Sequence, residues 1–141
     1  MAELHGQLSA IEAKLQALLR GNGGLQVRLP ELCEAASGRI DASRVAEYLG
    51  VPLKQLTEGL QLNYKAVHRK PAGEALQKAL QPVKRSLEIL QEFFGEPATV
   101  RVWLNTPHPD LEGRNALELI LANNAGAVLR ILENALAGVP V

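Results

Sequence analysis

The sequence predicts an all-α protein, a helix-turn-helix segment followed by a small helical domain, and three observations carry that reading. Apolar residues recur at three- and four-residue spacing through most of the 141 residues. Almost no stretch alternates with period two, the mark of a half-buried strand. Most glycines and prolines fall between the periodic runs, with Pro82 the notable exception. At 47% hydrophobic and 21% charged residues, the composition is that of a folded chain rather than a disordered one.

Taken in order, the elements begin with a capping box at Ser9 and Glu12. Ile11, Leu15, Leu18 and Leu19 then share one helical face until Gly21-Asn22-Gly23-Gly24 ends the run. Such an amphipathic helix packs on its own domain or pairs with a second copy. Residues 25–30 read as an extended connector and 31–36 as a short helix. Asp41 caps a helix running to Leu49, Gly50 stops it, and Pro52 opens another at Leu53, which Leu56 and Leu60 carry to Gln61. Asn63 caps a third, from Tyr64 to Lys70, and Pro71 closes it. From Glu74 onward Leu76, Leu80, Val83, Leu87, Leu90 and Phe94 keep helical spacing, and Pro82 predicts a kink or a restart among them. Gly95 ends this run, and Pro97 opens a helix carrying Val100, Trp103 and Leu104. Asn115 with Glu118 starts the next, Asn123-Asn124 breaks it, and Val128, Leu129, Leu132 and Leu136 build a last helix before Gly138. The expected organisation is an N-terminal helical extension over 1–38, a helix-turn-helix region over 39–85 and a C-terminal domain over 86–141.

A net charge of zero conceals a pattern. Residues 1–40 carry 4 Lys+Arg against 4 Asp+Glu, 41–85 carry 8 against 4, and 86–141 carry 3 against 7. A basic middle suits a polyanion, and an acidic tail suits a basic protein surface. The single Cys33 excludes an internal disulfide and a cysteine-built zinc site, and it points to a reduced, cytoplasmic setting. The acidic amino terminus lacks the pattern of a secretory signal, and no run approaches the roughly 18 apolar residues of a membrane span. His5, His68 and His108 are scattered, the serines lie outside any nucleophile elbow, and GNGG lacks phosphate-loop spacing. The chain is therefore expected to have no catalytic residues, no metal and no cofactor.

Three short helices in about thirty residues have the proportions of a helix-turn-helix unit, and two registers compete. In one, Ala46, Gly50, Val51 and Leu56 take the structural positions and residues 53–60 form the recognition helix, with Lys54, Gln55, Thr57 and Glu58 facing solvent. In the other, Thr57, Gln61, Leu62 and Val67 take them, and the recognition helix presents Asn63, Tyr64, Lys65, His68, Arg69 and Lys70. The second offers the better chemistry, since Arg and Lys suit guanine edges and phosphates and Asn suits adenine. Its weak point is Gln61, because the turn requires a positive backbone angle that a side chain strains. With so small a charge excess a monomer would bind DNA weakly, so dimerisation is expected.

One stretch does not fit its helical surroundings, residues 103–120, WLNTPHPDLEGRNALELI. Pro107 and Pro109 forbid helix and imply an extended, rigid loop, after which Gly113 allows an unusual backbone angle. On physics alone this is a stiff corner between two helices with Trp103 in the core.

The residues Trp103-Leu104-Asn105-Thr106-Pro107 and Leu111-Glu112-Gly113-Arg114-Asn115-Ala116-Leu117-Glu118-Leu119 resemble the signature of the toxin-binding domain of the Xre/MbcA/ParS antitoxin family. LQEFFG at Leu90 to Gly95 is similar to that domain's opening, Ala127 to Gly138 to its closing helix, and Leu53 to Arg69 to the family's helix-turn-helix in the second register. His108 stands where the family often has Asn, and Ala116 where it usually has Pro. The resemblance implies a type II antitoxin that blocks a cognate toxin, commonly a RES-domain enzyme consuming NAD or else a ParT-like ADP-ribosyltransferase. It implies operator DNA as a second partner, and a homodimer or higher hetero-oligomer. Trp103, Asn105, Pro107, Gly113, Arg114, Gly138, Val139, Pro140 and Val141 are the toxin-binding residues it implies, with Trp103 largely structural, Arg114 free to bond the neighbouring helix instead, and residues 136–141 near the toxin's active-site mouth. The alternative function is a stand-alone helix-turn-helix transcriptional regulator whose C-terminal domain only dimerises, and a catalytic or ligand-sensing protein is a third.

Overall fold

The structure is a computed structural model that describes residues 27–138. The capping box at Ser9 and Glu12, the amphipathic run behind it and Val139, Pro140 and Val141 lie outside the described residues. The fold is all-α. Its helices are α1 (Ala42–Leu49), α2 (Leu53–Gly59), α3 (Tyr64–Arg69), α4 (Gln77–Phe94), α5 (Pro97–Leu104), α6 (Ala116–Ile120) and α7 (Ala125–Leu136), with 3₁₀ turns at Pro30–Leu32, Glu74–Leu76 and Pro109–Leu111.

Most helix ends follow from local chemistry. The Asp41 carboxylate accepts from the amides of Ser43 and Arg44, Asn63 from that of Ala66 at 3.0 Å, and Asn115 from that of Glu118 at 2.8 Å. Each satisfies an amide that the first helical turn leaves unpaired. Gly50 and Gly95 end α1 and α4 with φ of 76° and 80°, angles that a Cβ disfavours.

α4 is the spine. It packs along α7, and α5 folds back against its carboxyl end. Leu80, Val83, Leu87, Ile89 and Leu90 are wholly buried on it, and one apolar cluster runs from Leu29 to Ala135. The boundary expected between residues 85 and 86 falls inside this helix. The incoming connector is clamped to the same spine, because the Glu92 carboxylate accepts from the Val27 amide and that of Glu88 from the Leu29 amide. Glu88 is itself buried, and Lys84 neutralises it at 2.8 Å.

Three expectations are corrected. Residues 31–36 form no α-helix. Pro30 opens a single 3₁₀ turn, then Cys33 pairs with Ile40 in an isolated antiparallel bridge. The Glu34 amide donates to the Arg39 carbonyl and the Asp41 amide to that of Leu32, while the Gln77 side chain holds the far side of the bridge, accepting from the Ile40 amide at 2.7 Å and donating to its carbonyl at 3.0 Å. A six-residue helix with a costly nucleus has little to set against those bonds. Of the kink or restart expected at Pro82, the restart does not occur, since α4 runs through it unbroken. The missing hydrogen bond costs about 3 kcal/mol, offset by burial of Leu80 and Val83 on either side. Lastly, the corner is not simply extended. Pro109 takes the first position of a 3₁₀ turn, where a missing amide proton costs nothing. At the end of α4 Phe94 packs half-buried on the core as its spacing suggested, with Phe93 buried beside it.

Candidate functional site

Two surfaces bear on function, and the first is built by α1, α2 and α3. Both helix-turn-helix registers have their structural positions filled. Ala46 and Leu56 are buried about Gly50, while Thr57 and Val67 are buried about Gln61, whose φ is 59°. The strained angle foreseen for Gln61 is therefore present, at a cost on the order of 1 kcal/mol.

Surroundings separate the two helices. Thr57, expected to face solvent, is fully buried, and its hydroxyl donates to the Lys54 carbonyl. α2 is also pressed against the C-terminal half, because a Cβ on Gly59 would lie 2.4 Å from the carbonyl oxygen of Leu121. By contrast α3 buries Val67 alone and exposes Asn63, Tyr64, Lys65, His68, Arg69 and Lys70. The rings of Tyr64 and His68, one turn apart, lie 5.7 Å from each other.

The second surface is the corner after α5. His108 is its hub and is buried, with 6% exposure. Its carbonyl accepts from the amides of Leu111 and Gly113, its own amide donates to the Arg114 carbonyl, and its Nδ1 accepts from the Asp110 amide at 3.1 Å. An imidazole accepting at Nδ1 carries its proton on Nε2 when neutral. Histidine here does the capping work that an Asn side chain would do. Gly113 turns with φ of 79°, and Glu112 before it adopts φ of 58°.

The residues singled out from sequence separate on burial. Trp103 is 4% exposed, tilted against the His108 ring at 6.1 Å, and its indole Nε1 has no partner among the described residues. Asn105, Pro107, Gly113 and Arg114 are exposed, and Asn105 donates back to the Arg101 carbonyl. The Arg114 guanidinium makes no hydrogen bond or ion pair among the described residues. Gly138 is exposed with φ of 80°.

Sequence reasoning passed over the residues that join the two surfaces. Arg101 of α5 donates to the Tyr48 carbonyl at 3.2 Å, and the Tyr48 hydroxyl donates to the Gln91 side chain. Burial, with Glu31 adding to it and Arg101 opposing, pushes the Tyr48 phenol up to about 12. Nothing in a linear pattern marks Gly59 as a point of backbone contact.

With this geometry in place, one segment of the chain finds a match among known families. Residues 90–138 match the family described as antitoxin Xre/MbcA/ParS C-terminal toxin-binding domain. The match runs from the last turns of α4 to the glycine after α7, and it takes in the whole corner. No curated protein and no solved structure matches the chain.

Proposed function

We propose, from the premise that residues 90–138 form an Xre/MbcA/ParS antitoxin toxin-binding domain, that this chain is the antitoxin of a type II toxin-antitoxin system. It holds its cognate toxin through the C-terminal half. The toxin is a RES-domain enzyme that consumes NAD, with a ParT-like transferase as the alternative. The excess of acid in residues 86–141, 7 against 3, complements the basic pocket that a dinucleotide phosphate requires.

The same chain also binds its operator through α3, in the second register. The observation favouring α3 is that it buries only Val67 and turns Lys65, Arg69 and Lys70 outward, whereas α2 is wedged against Leu121. One copy neutralises few phosphates, so operator binding is carried by a dimer or a toxin-containing oligomer. The decisive experiment co-expresses the chain with the polypeptide encoded beside it, which this reading expects to be a RES-domain enzyme. A salt-tolerant complex and restored growth are expected. Salt-sensitive DNA binding without any such complex would favour the stand-alone regulator instead.

A further inference from the structure

We infer that the toxin docks on the outer face of α5, with Val102 rather than Trp103 as its apolar anchor; this rests on the antitoxin reading above. Among the described residues two large hydrophobic side chains are exposed, Tyr64 at 37% and Val102 at 52%. Tyr64 stands on cationic α3. Val102 is the one that belongs to the toxin-binding segment.

The fold gives no reason for a valine there. α5 buries Val100, Trp103 and Leu104 on its inner side, and Val102 takes no part in that packing. Valine is also a poor helix former, so a solvent-facing position gains nothing from it locally. A single exposed aliphatic is ordinary, but this one shares its helix face with Ala98, exposed one turn before it. The chain beyond is pinned: the Thr106 hydroxyl donates to the Val102 carbonyl at 2.6 Å and the Asn105 amide to that of Arg101 at 2.8 Å, and the exposed Pro107 and Pro109 follow. Prolines and internal bonds hold this segment rigid, and little side-chain freedom is lost when a partner covers it.

Charge identifies the partner's chemistry. Arg101, the only cation on α5, is half-buried and bonded to Tyr48, so it does not serve this face. The exposed charges along α5 and the corner are Glu96, Asp110 and Glu112, against Arg114 alone. Such a rim repels nucleic acid. It fits a protein surface with an apolar socket bordered by cations, an apolar centre within a charged margin.

The test measures affinity for the polypeptide encoded beside the chain, expected to be a RES-domain enzyme, using wild type, Val102→Ile and Val102→Asp. Trp103 fluorescence and Tm establish that each is folded. Val102→Asp is expected to weaken binding at least about thirtyfold, and Val102→Ile by less than about threefold. Hydrogen exchange needs no substitution, and residues 98–107 should gain protection in the wild-type complex. Wild-type affinity in folded Val102→Asp, or no added protection over 98–107, overturns this face and leaves the antitoxin reading standing. Absence of any wild-type complex overturns both.

Discussion

α3 and α5 are both short helices that bury a narrow stripe, yet they present opposite chemistry to solvent. α3 hides Val67 and shows three cations with a Tyr–His pair. α5 hides Val100, Trp103 and Leu104 and shows Ala98 and Val102. The difference separates holding the fold from meeting a partner. On α3 nearly every side chain is available to a ligand, whereas on α5 the most conspicuous residue, Trp103, is spent on the core.

The sharpest way to break that contrast is Trp103→Ala. It should lose about 3–5 kcal/mol of stability, read from denaturant midpoints by far-UV circular dichroism. An unchanged midpoint would move Trp103 from the core to the partner surface. Next comes Gly59→Ala, which sets a Cβ against the Leu121 carbonyl and should cost about 1–3 kcal/mol in the same assay. Were it neutral, α2 and the C-terminal half would not be in backbone contact.

Smaller still is the contribution of Tyr48, which ties α1 to α4 through Gln91. Its phenol is raised from 10.0 to about 12, so folding favours the neutral form. The stabilisation is complete below pH 10 and is lost as pH rises toward 12, a decline on the order of 2 kcal/mol. Tyr48→Phe should flatten that decline in pH-dependent unfolding. The smallest expected effect on stability comes from replacing Lys65, Arg69 and Lys70 of α3 with Ala, within about 0.5 kcal/mol. Binding to duplex DNA should nevertheless weaken and become less dependent on salt. A large loss of stability would show that α3 is held by those charges.

Local chemistry was legible residue by residue. Asp41, Asn63 and Asn115 cap the helices they were expected to cap, and Gly50 and Gly95 stop theirs, because a cap involves only amides two or three positions away. Even the strain at Gln61 could be anticipated, since the turn dictates the angle. The failures are nonlocal. Residues 31–36 were lost to pairing with residues 39–41, a segment that Gln77, nearly forty positions on, holds in place at Ile40. Pro82 sits within a helix because burial on both sides outweighs one missing bond. The burial of His108 as a cap is likewise invisible to the local pattern, and only the returning chain at Arg114 reveals it.

By itself, then, the amino-acid order determined where helices begin and end, which face of each is apolar, and that the corner carrying Trp103, Gly113 and Arg114 resembles an antitoxin domain. These rest on spacing and short-range bonding, which a chain carries in any context. Only the tertiary structure decided that Trp103 is enclosed while Val102 is bare, that α2 is wedged at Gly59 and α3 left open, and that Arg101 reaches back to Tyr48. Exposure and long-range contact depend on which helices meet. That is a property of packing in three dimensions, and the local pattern does not contain it.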